Sequence, residues 1–130
     1  MNYSELTRRY FDNAATAAGV LGGVHVGRGA AGSRRNGTWV QFDVEVEPGR
    51  GAQAPRIAAV RFLAFACPHT IAVAAWVAER SVGADCAAVL PESVHALRLR
   101  FEVPEEKLGR LLVVEDAWRA AAAAARVTIS

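Results

Sequence analysis

Cys67 and His69, two residues apart in the run Phe65-Ala66-Cys67-Pro68-His69, are the side chains best equipped for chemistry. A thiolate is a soft nucleophile and metal ligand, and an imidazole suits iron, zinc and copper, so a Cys-x-His pair can handle sulfur or supply part of a metal site. The local pattern places the pair at a corner. Before it, Val60, Phe62 and Ala64 alternate with Arg61, Leu63 and Phe65, the period-two signature of a strand expected over Ile57 to Ala66. After it, Ile71, Ala75, Ala78 and Val82 fall on one helical stripe, with Pro68 suited to the first helical position and Gly83 to the stop. Cys67 is therefore expected at or beside a helix N-cap, where open N–H groups and the positive end of the helix dipole favour a thiolate. His69 reads either as a second ligand or as a polar residue of the first helical turn.

The elements that must position this corner follow from the rest of the chain. Ser4 is the expected N-cap of a helix from Glu5 to Phe11, with Leu6, Tyr10 and Tyr3 on its apolar face, Arg8 and Arg9 opposite, and Asp12-Asn13 at its end. Seven glycines lie between Gly19 and Gly37, a density that suits an edge strand or a loop with close backbone approach. Gly27-x-Gly29-x-x-Gly32 has the spacing of a dinucleotide fingerprint, but no buried strand precedes it and no helical pattern follows, so that reading is set aside. Thr38 to Glu47 is the clearest strand, with Val40, Phe42, Val44 and Val46 facing inward and Gln41, Asp43, Glu45 and Glu47 facing water. Pro48-Gly49-Arg50-Gly51 turns the chain into a loop reaching Pro55 and then into the strand that ends at the corner.

Beyond the corner, Ala84 to Leu90 reads as a short helix and Pro91-Glu92 as the start of another. His95 to Val103 alternates like a strand, Leu97, Leu99, Phe101 and Val103 against Arg98, Arg100 and Glu102. Pro104 opens a turn through Lys107-Leu108, Gly109 interrupts, and Leu111 to Ala125 forms the last helix. Glu115 and Asp116 in its first half and Arg119 and Arg126 toward its end complement the macrodipole. The alanine run from Ala120 to Ala125 is expected to be the end of that helix.

Composition narrows the function classes. With 130 residues, 52% of them hydrophobic, the chain is expected to be one domain, residues 1–130, with a substantial core. Fifteen basic and 13 acidic residues give a net charge of +2 and are spread without a basic stripe, so no nucleic-acid partner is expected. The start, MNYSELTRRYF, carries charges where a signal peptide needs an apolar run, and no stretch approaches a membrane span, so the expectation is a cytoplasmic protein with no membrane partner and with Cys67 and Cys86 reduced. Cys86 is expected to be structural, and His25 and His95 to lie on the surface or in loops. There is no Ser-His-Asp, carboxylate-pair or P-loop arrangement, and no enzymatic turnover is expected.

The order of landmarks resembles the NifU/IscU-type iron-sulfur cluster assembly scaffold nearly end to end. Tyr3-Ser4-Glu5 with Tyr10-Phe11-Asp12-Asn13 looks like that family's opening helix, although Ala14-Ala15-Thr16 replaces its P-R-N. Val26-Gly27-x-Gly29-x-x-Gly32 resembles its V-G-x-G-x-x-G segment, and Arg61-Phe62 through Cys67 and Ile71-Ala72 its strand-to-helix corner. Glu115-Asp116-Ala117 followed by Arg119-Ala120-Ala121 is similar to its closing helix. The resemblance implies an α+β fold of the SufE/NifU kind, a small antiparallel meander of about three strands packed against several helices. For the awkward segment after Leu90 it implies a helix near Pro91 to Arg98 followed by extended chain.

It also implies a site. Three cysteines of that family, with an aspartate and a histidine nearby, hold a nascent [2Fe-2S] cluster or zinc, because several soft anionic ligands must converge to do so. Here the first cysteine and the aspartate are replaced by Asn36 and Thr38, and the His-Cys pair before the closing helix by Gly109 and Arg110; Cys67 alone remains. An amide is a poor ligand for a soft metal, so Asn36 is expected to serve the turn at Gly37. A permanent cation at Arg110 opposes metal binding but steadies a thiolate or persulfide anion. The L-P-P-V-K motif that recruits an Hsp70-type chaperone stands here as Val103-Pro104-Glu105-Glu106-Lys107, which argues against that partner. The implied function is a scaffold-like role in iron-sulfur cluster assembly, with iron, a [2Fe-2S] cluster or zinc at an incomplete site of Cys67 and His69. The alternatives are a module that binds no metal and engages a cysteine desulfurase or other assembly proteins, or a sulfur acceptor at Cys67.

Overall fold

The computed structural model describes residues 2–49 and 54–129. Three strands form an antiparallel meander in the order β1 (Val26–Ser33), β2 (Thr38–Glu47), β3 (Arg56–Phe65). Four helices accompany it: α1 (Glu5–Asp12), α2 (Pro68–Ser81), α3 (Val94–Arg100) and α4 (Leu108–Val127), with single 3₁₀ turns at Ala14–Thr16 and Glu105–Lys107. This is the expected α+β class, a small antiparallel sheet against several helices. Among the described residues no helix is long and apolar enough to cross a membrane. The turn expected at Arg50 and Gly51 lies outside the described residues.

The sheet buries one face against α4 and α2. Val40, Phe42 and Val44 of β2 stand opposite Ala31, Gly29 and Gly27 of β1 and opposite Ala64, Phe62 and Val60 of β3, so one cross-strand row carries the core. Phe42 meets Trp118 of α4 edge-to-face at 5.4 Å, and both are fully buried. A Cβ on Gly27 would land on the backbone nitrogen of Ala125, and one on Gly29 on that of Ala121. The glycine-rich strand and the alanine run are thus two halves of one interface. Small residues on both sides let the helix backbone approach the strand backbone closely.

Several local readings need correction. Asp43, expected in water, has a fully buried side chain on the sheet face away from the helices. There Arg28 Nε and Nη2 donate to its two oxygens at 2.8 Å each, and the Leu21 N–H donates at 2.8 Å, tying down the crossing segment before β1. Alternation signals the face a residue takes, and it cannot report that another segment covers that face.

Helix α2 is buried on every side from Ala72 to Ala78, because α1, β3 and α4 all pack on it; Ile71 is half-buried, and Val82 is the exposed residue that ends the helix. Ala84 to Leu90 is not helical: Ala84 accepts from the Ile57 N–H, and the Cys86 N–H donates to Pro55, so the stretch pairs its backbone with the start of β3. Tertiary pairing satisfies those groups more fully than one isolated helical turn would.

The strand-like alternation of His95 to Val103 is overridden as well. Ser93 caps α3 through the Ala96 N–H, so the helix begins later than Pro91 and runs past Arg98 to Arg100. Its end is a Schellman motif in which Val103 donates to Arg98 and Glu102 to Leu99, with Glu102 in the left-handed region at φ 53°. Val103 and Pro104 then continue extended. Gly109 does not interrupt anything: α4 runs through it from Leu108.

Candidate functional site at the Cys67 corner

One end of the sheet brings together β3, the hairpin between β1 and β2, and the first turns of α2 and α4. Trp39 pairs with Phe65 and Thr38 with Ser33, so the hairpin lies beside the strand end that delivers Cys67. Cys67 is the N-cap of α2, with an extended backbone and Pro68 at the first helical position. Pro68 has no N–H to leave open there, and its fixed φ suits the helix start.

The sulfur is half-buried and lies 3.4 Å from the Thr70 hydroxyl, three residues on. Burial alone would push the thiol up. The Thr70 hydroxyl, the Thr70 N–H at the helix start, the Arg110 guanidinium and the Lys107 ammonium outweigh it, and the thiol titrates below its ordinary value. The charge arrangement is that of a stabilised thiolate.

His69 turns the other way. It is 2% exposed, its ring packs edge-on to Tyr3 at 4.7 Å, and its Nδ1 lies 3.3 Å from Lys107 Nζ. An ammonium can only donate, so Nδ1 accepts and the imidazole is neutral. Burial, then Lys107 and Arg110, push its pKa below the ordinary value, in agreement with that assignment.

Of the positions where the resemblance led one to expect ligands, Arg110 bears on the sulfur, while Gly109 sits in the first turn of α4 with open space where a Cβ would project. Thr38 is buried at the start of β2, and Asn36 is exposed, its N–H donating to Ser33 Oγ in the hairpin turn. Cys86 is buried elsewhere, its sulfur 3.7 Å from the Ala122 carbonyl, and burial raises its pKa. His25 is half-buried in the turn before β1, and His95 is exposed on α3.

Lys107 and Thr70 are the members of this site that sequence reasoning missed. Both had a signal. Thr70 is three residues after an N-cap, where a first-turn side chain comes back to the cap, and Lys107 precedes Arg110 by one helical turn.

A solved structure has the same architecture. FiSufU from the thermophile Fervidobacterium islandicum AW-1, described as a candidate iron-sulfur cluster assembly scaffold protein for the SUF system, aligns with a TM-score of 0.54 and 15% identity over 95% of this chain and 96% of that one. The likeness is one of fold. No protein-family model and no curated protein matches the chain.

Among the described residues no three His, Cys, Asp or Glu side chains converge where they could hold a metal ion. Cys67 supplies one thiolate, Nδ1 of His69 faces an ammonium, and two cations stand where further anionic ligands would be required. These residues do not fit a metal cargo held by one chain. They fit an anionic sulfur.

Proposed function

We propose that this protein serves iron-sulfur cluster assembly of the NifU/IscU kind as a sulfur acceptor, with Cys67 taking a sulfane sulfur from a persulfide donor such as a cysteine desulfurase. One observation carries the reading: the Cys67 sulfur lies at a helix N-cap against the Thr70 hydroxyl, under two cations, with no converging metal ligands among the described residues.

The chemistry balances without an oxidant. The Cys67 thiolate attacks the outer sulfur of R–S–SH, an S–S bond forms on Cys67 while the donor's S–S bond breaks, and the electron pair leaves on the donor's thiolate. The proton given up by the Cys67 thiol ends on the donor. A persulfide anion is stabilised by the same groups that hold the thiolate, since Thr70 donates to it and Arg110 and Lys107 meet its negative charge. The protein accepts and passes on sulfur and has no turnover of its own.

The test is mass spectrometry after incubation with a desulfurase and cysteine. The expected result is a gain of one sulfur atom on the peptide holding Cys67, reversed by a thiol reductant and missing in Cys67→Ala. An unmodified Cys67 peptide beside a persulfide-loaded donor sinks the proposal.

A second reading rests on the scaffold-type fold over 95% of the chain: a partner chain or small thiol completes an iron, zinc or [2Fe-2S] site at Cys67. Anaerobic reconstitution with iron and sulfide separates the two. A charge-transfer spectrum that depends on Cys67 favours the cluster, and a featureless one favours sulfur acceptance.

A further inference from the structure

Away from the Cys67 corner, a groove of about 450 Å³ opens between α1, the C-terminal half of α2 and the edge of β3. That size falls in the ordinary range of small-ligand sites. Val60, Ala75 and Ala78 give it an apolar lining, and charges stand around it: Arg9 from α1, Arg61 from β3 and Glu79 from α2. One oxygen of Glu79 accepts the Tyr10 hydroxyl at 3.1 Å, which orients the carboxylate and leaves its other oxygen for a ligand. Arg9 lies over the Tyr10 ring, 5.6 Å from its centroid. Arg61 gives one Nη to its neighbour's carbonyl at 3.3 Å, and a guanidinium has further donors to offer.

From this arrangement we infer that the groove is a binding site for a small zwitterion of amino-acid to dipeptide size with an apolar side chain. Two guanidinium groups match a carboxylate, the oriented Glu79 carboxylate matches an ammonium, and the apolar lining matches an aliphatic side chain. A simple anion leaves Glu79 facing like charge, and a simple cation leaves both arginines so; a ligand carrying both charges satisfies all three. The site is independent of the chemistry at Cys67, since Ala75 to Glu79 lie two or more turns along α2 from its start.

L-leucine titrated into ¹⁵N-labelled protein at concentrations up to about 10 mM, the weak-binding range, tests the inference. The expected result is saturable shifts in the amides of Ala75, Ala78, Glu79 and Arg61, with affinity lowered roughly tenfold in Glu79→Gln and in Arg61→Gln. Isocaproate, which lacks the ammonium, and isoamylamine, which lacks the carboxylate, should each bind more weakly than leucine. Cys67→Ala should bind leucine as the wild type does, so failure of the sulfur-acceptor reading leaves this result standing. No saturable shift in the folded wild type, or leucine binding unaltered in both charge variants, overturns the site.

Discussion

Nζ of Lys107 stands 3.3 Å from Nδ1 of His69, so a cation from the approach to α4 is anchored on a neutral imidazole in the first turn of α2. The consequence falls on the residue between them in function. With the Thr70 hydroxyl and N–H, Arg110 one turn further on and Lys107, held there, keep the Cys67 thiol below its ordinary value against the opposing effect of burial.

Removing either cation must therefore raise the Cys67 pKa. Lys107→Met, Arg110→Met and Thr70→Val are each expected to move the midpoint of the pH–alkylation profile upward and to slow iodoacetamide at pH 7, because the thiolate fraction falls. His69→Phe should act in the same direction as Lys107→Met and add little to it, since its effect passes through the lysine. A profile with the wild-type midpoint in Lys107→Met and Arg110→Met contradicts this account. Cys86, buried and raised, should label in the native protein far more slowly than Cys67.

Asp43 ties β2 to Arg28 and to the Leu21 N–H on the face away from the helices. Burial would raise its pKa, but the two Arg28 bonds and the Leu21 N–H outweigh burial and lower it. A folded-state value below the unfolded one means that the unfolded chain binds more protons, so this contribution is present above the ordinary value of 3.8 and is lost as pH falls through the lowered one. Arg28→Met strands a buried carboxylate and should lower stability at pH 7. Urea denaturation at pH 7 and in the acid range is the measurement, with Asp43→Asn expected to show a shallower acid loss than wild type.

At Gly27 and Gly29 the contact between β1 and α4 has no room for a side-chain carbon. Gly27→Ala or Gly29→Ala places a Cβ against the backbone of Ala125 or Ala121, neither of which can swing aside as a side-chain tip can. Either substitution should lower stability by about 3 kcal/mol or more, read as a fall in the urea midpoint. Gly22→Ala, with nothing near its Cβ, is the control and should be close to neutral.

Glu102 occupies the left-handed position of the Schellman motif that ends α3, and its side chain is exposed. Glycine takes that conformation without a steric cost from Cβ. Glu102→Gly is expected to stabilise the protein by about 0.5–1 kcal/mol, raising the thermal midpoint; a lowered midpoint would falsify the assignment of strain to this residue.

The elements legible in the sequence were those whose own residues carry the signal. Val40, Phe42, Val44 and Val46 alternate over a full strand, and Ser4 and Pro68 mark helix starts, because a cap and a missing N–H act within one turn. Cys67 at an N-cap was readable for the same local reason. The alternation of His95 to Val103 misled as a local pattern, because it is compatible with a short helix once Ser93 caps it, whereas the helix that the resemblance implied near Pro91 to Arg98 is present as α3. Ala84 to Leu90 misled because its backbone partners, Pro55 and Ile57, lie about 30 residues earlier.

By itself, then, the sequence determined strands and helix starts from residue types and short spacings, with one of those strands delivering a single cysteine to a helix start. The α+β meander, and the side chains missing from a metal site beside that cysteine, were what its resemblance to a scaffold family implied. The tertiary structure alone decided that His69 points into the core toward Lys107, that Asp43 is buried on an ion pair, and that the glycines of β1 and the alanines of α4 face each other. Those facts depend on segments far apart in the chain meeting at distances of a few ångströms, where burial and charge are set by the neighbour and not by the residue itself.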